Sequence, residues 1–166
     1  MACYDAAVAR LRKSSSSALI EPLGSDLVAL AQAYALDATT FPHCSLPMVF
    51  GDDAPPAVWI AREDHGGRVI GFVGTRADHE ALEIIGLAVD VAHRRTGIAR
   101  ALVRATTRSA RARGFDTVEL RVSTGNEAAI ALYVRERFRK AERIEGYYSK
   151  RFPDGGDAWV MIKDLR

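Results

Sequence analysis

The residues best suited to chemistry lie in a basic loop, Ala92 to Ala99 (AHRRTGIA). The loop follows an apolar strand pattern and precedes a helical one. The first N–H groups of a helix have no intrahelical partners and carry the positive end of the helix dipole. Arg94 and Arg95 add positive charge, and Gly97 lets a ligand approach the backbone closely. The sequence therefore predicts a site for a phosphate or a similar anion.

Two common phosphate motifs are absent from this loop. No Lys-Ser or Lys-Thr pair follows the glycine, as a Walker loop requires, and there is no G-x-G-x-x-G dinucleotide pattern. The residues Arg94-Arg95-Thr96-Gly97-Ile98-Ala99 instead fit the pattern Q/R-x-x-G-x-G/A. A second motif, N-x-x-A-x-x-L-Y, runs from Asn126 to Tyr133. Together the two motifs resemble the acetyl-CoA-binding core of the GNAT N-acetyltransferases.

The resemblance implies a role for each part of this core. The loop would bind the pyrophosphate, the pantetheine arm would bond to the strand before the loop, Asn126 would contact the pantetheine, and Tyr133 would act as general acid near the sulfur. A plain N-cap is the alternative for Asn126, and a core aromatic is the alternative for Tyr133. The residues expected to bind the cofactor are Leu87, Ala88, Val89, Arg94, Arg95, Thr96, Gly97, Ile98, Ala99, Arg100, Asn126 and Tyr133.

Glu83 is the candidate general base, so Glu83 and Tyr133 form the expected catalytic pair. Glu83 stands eleven residues before Arg94, which is the spacing of the catalytic glutamate in the histone-type acetyltransferases of the superfamily that this chain resembles. An exposed acid at the start of a strand is the alternative. Other members carry a glutamate or histidine five residues before the asparagine, where this chain has Arg121. Because an arginine cannot act as a base, Glu83 is favoured.

The acceptor side is predicted from aromatic residues. The tail from Ile144 to Met161 resembles the last hairpin of amino-terminal protein acetyltransferases, in which tyrosines line the slot for the acceptor peptide. Tyr147 and Tyr148 match those tyrosines, and neighbours on a strand face opposite ways, so one of them would face the slot. Phe41 opens a Pro-bearing segment, 41–50, that is expected to form a wall of the acceptor groove. Strand aromatics and an irregular surface connection are the alternatives.

These residues predict an acetyl-CoA-dependent N-acetyltransferase whose acceptor is the N-terminal α-amine of a protein or peptide. An α-amine has a pKa of about 8, well below that of a lysine amine, so it is the easier acceptor. Acetylation of a small amine or of a lysine side chain is the first alternative. A CoA-binding sensor without turnover is the second, because Arg121 replaces a base found in related enzymes.

The elements that position these residues follow an α/β order, or α+β by some schemes, with strands and helices arranged as βα(α)βββαβαββ. Residues 57–78 read as a β-hairpin and residues 81–90 as a third strand. The resemblance implies a mixed sheet of about seven strands flanked by about four helices. Residues 18–166 are expected to form one acetyltransferase domain, and residues 1–17 a flexible extension.

Composition limits the other functions open to the chain. Its 166 residues are 48% hydrophobic and 27% charged with a net charge of +2, so nucleic acid is not an expected partner. No apolar run reaches membrane-spanning length, two cysteines are too few for a disulfide framework, and the histidines show no ligand spacing for a metal. We expect a cytoplasmic protein, monomer or homodimer, that binds acetyl-CoA and no metal.

Overall fold

The computed structural model describes residues 9–11, 18–41, 57–63, 67–79, 81–148 and 156–166. These residues form eight strands, three α-helices and a 3-10 turn at Val91–His93. The elements in chain order are β1 (Ala9–Leu11), β2 (Ala18–Pro22), α1 (Leu27–Thr40), β3 (Ala57–Glu63), β4 (Val69–Asp78), β5 (Ala81–Val89), α2 (Ile98–Ala112), β6 (Thr117–Ser123), α3 (Glu127–Arg135), β7 (Arg139–Ile144) and β8 (Ala158–Asp164).

Each helix begins or ends at a residue that suits the position. The Asp26 carboxylate accepts a hydrogen bond from the Ala29 N–H at 2.9 Å and caps α1. The Asn126 side chain accepts from the Ala129 N–H at 3.1 Å and caps α3. Helix α2 ends at Ala112, and Gly114, two residues further on, has a φ of +82°, a left-handed conformation that glycine adopts without strain.

The chain divides into two compact units, and β4, β5 and α2 each have residues in both of them. The first unit comprises Met1–Arg76 and Ile85–Thr106, and the second comprises Ala77–Ile84 and Thr107–Arg166. In the first unit β1, β2, β3 and β4 pair in that order, each antiparallel to its neighbour. The second half of β5 also belongs to this unit. Directly after it, the Asp90 N–H donates to the Ile70 carbonyl of β4 at 2.8 Å.

The first unit has an apolar core between α1 and the hairpin of β3 and β4. Its buried members are Leu23, Ala29, Ala33, Val58, Ile60, Val69, Phe72 and Ala88. Arg62 lies beside this core with only 8% of its side chain exposed. Its guanidinium donates to Glu21 at 2.6 Å and to the α1 cap Asp26, so one buried cation connects β2, β3 and the start of α1.

The second unit contains the first half of β5, then β6, β8 and β7. Strands β5 and β6 are parallel, with Glu83 in register with Glu119, and the other two pairs are antiparallel. Strand β6 alternates strictly between buried and half-buried residues. Its buried face carries Val118, Leu120 and Val122, so its other face is available for polar side chains.

The predicted hairpin of residues 57–78 and the predicted third strand, which is β5, are confirmed. The alternative role given for Asn126, a plain N-cap, is also observed. Strand β1, which pairs with β2, adds an element that the sequence pattern did not predict. The predicted strand through Tyr147 and Tyr148 is wrong, because β7 ends at Ile144 and both tyrosines lie in a turn. No helix among the described residues is long and apolar enough to cross a membrane.

Candidate active site

The basic loop is held in place by bonds to the end of β5. The Asp90 carboxylate accepts from the Ala92 N–H at 3.0 Å and starts the 3-10 turn. The Arg94 Nε donates to the Val89 carbonyl at 3.2 Å, and the Thr96 hydroxyl donates to the His93 carbonyl at 2.6 Å. These contacts fix the loop at the end of the strand, as the sequence predicts for an anion site.

His93 connects the loop to the neighbouring hairpin. Its Nε2 lies 2.9 Å from a Glu63 carboxylate oxygen, and its Nδ1 lies 3.3 Å from Asp90. Arg68 donates to the other oxygen of Asp90 at 3.2 Å. The hydrogen bond with His93, together with the Ala92 N–H and the charge of Arg68, lowers the pKa of Asp90. Sequence reasoning missed this cluster, since its members come from three separate elements.

The loop presents positive charge and backbone donors to solvent. Arg94, Arg95 and Arg100 are exposed, whereas Ile98 is buried and anchors the first turn of α2. Two residues of the loop have a left-handed backbone, Arg95 with φ +65° and Gly97 with φ +95°. The first helical bond is from the Ala101 N–H to the Gly97 carbonyl at 3.0 Å, so the N–H groups before it can bind an anion.

Glu83 lies on β5 within the second unit, and its carboxylate is buried. Only 9% of its side chain is exposed, and Oε1 accepts a hydrogen bond from Arg121 Nη1. Arg121 occupies the position at which related enzymes carry a general base. From the sequence alone, positions 83 and 121 are therefore only alternative places for the base. The register between β5 and β6 brings them together, because Glu83 stands beside Glu119 and Arg121 follows on the same face.

Two tyrosines extend this cluster within the second unit. The Tyr148 hydroxyl donates to the Arg121 carbonyl at 3.4 Å. Tyr133 is 6% exposed and packs edge-on against Phe138, with ring centroids 5.5 Å apart. Burial, and secondarily the nearby Tyr148, raises the pKa of Tyr133, so its phenol keeps its proton. We call Glu83, Arg121, Tyr133 and Tyr148 the polar cluster.

The turn that carries Tyr147 and Tyr148 is fastened by Asp157. One oxygen of this carboxylate accepts from the Gly146 N–H at 2.8 Å, and the other accepts from Arg143 Nε at 2.8 Å. The backbone bond and then the Arg143 contact lower the pKa of Asp157. In this turn the two tyrosine rings contact each other edge-on at 4.9 Å instead of facing opposite sides of a strand.

The remaining predicted site residues have defined surroundings. Asn126 is exposed and caps α3, which fits its alternative role and leaves its amide nitrogen at the surface. Leu87 is half-buried, and Ala88 and Val89 are buried. Phe41 packs against the core of the first unit at the end of α1. The rest of the predicted groove wall, residues 42–50, lies outside the described residues.

Comparison with known proteins identifies the family. The model of the acetyltransferase (GNAT) family matches residues 24–138. The chain belongs to the GNAT family. Both motifs from the sequence, the basic loop and the Asn126 to Tyr133 segment, lie inside the matched region. GNAT acetyltransferases use acetyl-CoA, which is bound in two solved structures with the same fold.

Individual relatives of this GNAT protein carry different names. It is 33% identical over 118 residues to the catalytic subunit NAA10 of the Arabidopsis thaliana N-terminal acetyltransferase A complex, covering 68% of this chain and 59% of that protein. It is 36% identical over 86 residues to a mycothiol acetyltransferase of Clavibacter michiganensis subsp. michiganensis, covering 52% of this chain and 28% of that protein. The chain thus spans 59% of the length of NAA10 and 28% of the length of the mycothiol acetyltransferase.

Its fold is similar to that of the ribosomal-protein-S18-alanine N-acetyltransferase from Escherichia coli. The two structures superpose with a TM-score of 0.74 at 26% identity, covering 89% of this chain and 94% of the other. The mixed α/β fold predicted from the sequence is therefore confirmed. The described residues form eight strands instead of about seven and three α-helices instead of about four.

Proposed function

We propose that this protein transfers the acetyl group of acetyl-CoA to the N-terminal α-amine of a protein or peptide. The observation that carries the proposal is the polar cluster. In it Arg121 bonds the buried carboxylate of Glu83, the half-buried Tyr148 bonds the Arg121 carbonyl, and the buried phenol of Tyr133 lies near Tyr148. The names of two relatives, NAA10 and the S18-alanine enzyme, support the choice of acceptor.

The basic loop would bind the pyrophosphate of acetyl-CoA through its backbone N–H groups and the charges of Arg94, Arg95 and Arg100. The exposure of these three side chains supports this role. The backbone of Leu87 to Val89 and the side chain of Asn126 would hold the pantetheine arm, as the family resemblance implies. Tyr147, Tyr148 and Phe41 are proposed to contact the acceptor.

The reaction is a direct transfer between the two substrates. The amine nitrogen attacks the thioester carbonyl, a C–N bond forms, and the C–S bond breaks. The amine loses a proton to Glu83, directly or through one water, and the departing thiolate takes the proton of Tyr133. The raised pKa of Tyr133 keeps that proton on the phenol until the thiolate forms.

The chemistry of the amine favours a protein terminus. An α-amine has a pKa of about 8, so a substantial fraction is neutral at pH 7.5, whereas a lysine amine with a pKa of about 10.4 is almost wholly charged.

A small amine is the second candidate acceptor, and a specific observation favours it. The relative with 36% identity is named for mycothiol and not for a protein terminus. The chain is 36% identical to the mycothiol acetyltransferase and 33% identical to NAA10. Sequence identity alone therefore does not decide between a small amine and a protein terminus.

The test is release of the CoA thiol from acetyl-CoA at pH 7.5 with three panels of acceptors. The panels are peptides with varied free termini, lysine peptides with blocked termini, and small amines. We expect turnover with free-terminus peptides. Turnover confined to blocked lysine peptides or small amines would contradict the proposed acceptor, and acetyl-CoA binding without any turnover would indicate a sensor.

Glu83→Gln tests the proposed base with little change in shape, because glutamine can still accept the hydrogen bond from Arg121. We expect kcat at pH 7.5 to fall about 100-fold with the KM for acetyl-CoA unchanged. The deficit should shrink as the pH rises toward 9, because more of the amine is then neutral without a base. A variant with wild-type kcat would exclude Glu83 as the base.

A further inference from the structure

Arg121 has more hydrogen-bond donors than its internal contact uses. A guanidinium has five N–H donors, and among the described residues the Arg121 side chain makes one hydrogen bond, from Nη1 to Glu83. About a third of the side chain, 32%, is exposed, whereas Glu83 is nearly covered. Arg121 is therefore held at one end by the fold and open to a further acceptor at the other.

Arg121 lies close to residues that are proposed to contact the acceptor. The Tyr148 hydroxyl donates to the Arg121 backbone carbonyl at 3.4 Å, so the guanidinium belongs to the same residue that the proposed slot tyrosine contacts. Tyr148 is also close enough to Tyr133 to influence its proton. Because the guanidinium itself bonds Glu83, the proposed base, a group bound to its remaining donors would lie near the carboxylate proposed to take the amine proton.

The charges around Arg121 are mixed. Glu83 and Glu119 stand in register on neighbouring strands, and Arg121 follows Glu119 by two residues on the same face. Two carboxylates and one guanidinium suit a ligand that carries both an ammonium group and a carboxylate. An amine with no acidic group would leave the remaining donors of Arg121 to water.

We propose that Arg121 binds a carboxylate of the acceptor, so the preferred acceptor carries an acidic group close to its amine. The inference rests on the proposed function for its reaction, acetyl transfer to an α-amine, and narrows the chemistry of the acceptor. Turnover of free amino acids but not of peptides would overturn the protein terminus as acceptor and leave the inference standing. Two sources have this chemistry: a peptide whose first residue is Asp or Glu, and a free amino acid with its own α-carboxylate. Arg121 acts here as a specificity-determining residue, since it contacts the acceptor and not the transferred group.

The experiment compares peptides that differ only in the charge of the first residue. Glu-terminated and Gln-terminated peptides of otherwise identical sequence are acetylated by the wild-type protein, and kcat/KM is measured for each. We expect the Glu peptide to be preferred by about tenfold or more, which corresponds to about 1.4 kcal/mol. Free glutamate, free glutamine and glutamine amide form a second arm that distinguishes an α-carboxylate from an acidic side chain.

Variants of Arg121 then assign the preference. Arg121→Gln should bring the Glu-to-Gln ratio close to one, and Arg121→Lys should keep part of it, with the KM for acetyl-CoA unchanged in both. Arg166→Gln is the matched control, because Arg166 also bonds a carboxylate, that of Asp116, but is 79% exposed at the end of the chain. It should leave the ratio at the wild-type value.

The outcomes separate this inference from the proposed function. Acetylation of free termini without discrimination between Glu and Gln overturns the inference alone, as does a preference that survives in Arg121→Gln. Turnover restricted to blocked lysine peptides overturns both. Where one Arg121 variant fails to fold, the other assigns the preference, and equal rates with the Glu and Gln peptides in the wild-type protein overturn the inference without any variant.

Discussion

Tyr133 has two properties that a general acid needs, a restricted orientation and a proton that it retains. Its hydroxyl belongs to a ring that packs edge-on against Phe138, which restricts its orientation. Burial raises the pKa of Tyr133, so the phenol is protonated throughout the range in which α-amines become neutral. Ionisation of Tyr133 is therefore not expected to produce an alkaline limit to kcat below pH 10.

Replacing Tyr133 by Phe tests this role. The variant keeps the ring and its packing but removes the proton, so we expect kcat to fall about 100-fold with the unfolding temperature and the KM for acetyl-CoA little changed. Tyr34→Phe is the matched control. Tyr34 lies in α1 and packs against the core of the first unit, so its variant should retain activity. A Tyr133→Phe protein with undiminished kcat would show that another group protonates the thiolate.

At the same scale, the members of the polar cluster could be named from the sequence, but the bond that joins two of them could not. Glu83 is predicted as the base from its spacing to Arg94, which the family resemblance supplies. Its bond to Arg121 could not be predicted, because the partners are 38 residues apart and meet only through the register of β5 and β6. A pattern within one strand does not determine the pairing of that strand with another.

At the scale of elements, the loop and helix α2 depend on two glycines with left-handed backbones. Gly97 precedes α2 with φ +95°, and Gly114 follows it with φ +82°. A Cβ atom at either position would meet no heavy atom within 4 Å, so substitution by Ala affects the backbone conformation and not packing. The two positions therefore form a matched pair.

Gly97→Ala and Gly114→Ala should separate binding from stability. Both should lower the free energy of unfolding by about 1 kcal/mol, because alanine is strained at positive φ. Only Gly97→Ala should raise the KM for acetyl-CoA, by about tenfold, since it distorts the loop whose N–H groups are proposed to bind the pyrophosphate. Urea unfolding and initial rates measure the two effects. An equal change of KM in Gly114→Ala would argue against phosphate binding by the loop.

Element boundaries followed from the sequence where a local bond sets them. Asp26 and Asn126 cap α1 and α3 as their residue types predict. The predicted strand through Tyr147 and Tyr148 was wrong for the opposite reason. Asp157, eleven residues further on, binds the Gly146 N–H and turns the chain there, and β-propensity contains no information about such a contact.

At the scale of the whole molecule, four aspartates set the response to acid. Backbone or side-chain hydrogen bonds lower the pKa of each in the folded protein: the Ala29 N–H for Asp26, His93 for Asp90, Arg166 for Asp116 and the Gly146 N–H for Asp157. The unfolded chain takes up these protons first as the pH falls. Their contribution to stability is therefore present above the unfolded pKa of 3.8 and lost as the pH falls through the folded values.

We expect the free energy of unfolding to begin falling as the pH drops below about 4 and to keep falling toward pH 2.5. Urea unfolding between pH 6 and 2.5 measures this profile. Asp26→Asn is the informative variant, because asparagine still caps α1 but cannot bind the proton, so its profile should be less steep below pH 4. High salt should flatten the wild-type profile only in part, since it screens the exposed Asp116–Arg166 pair and leaves the backbone bonds intact. A profile that does not change between pH 5 and 2.5 would mean that these four contacts do not persist in solution.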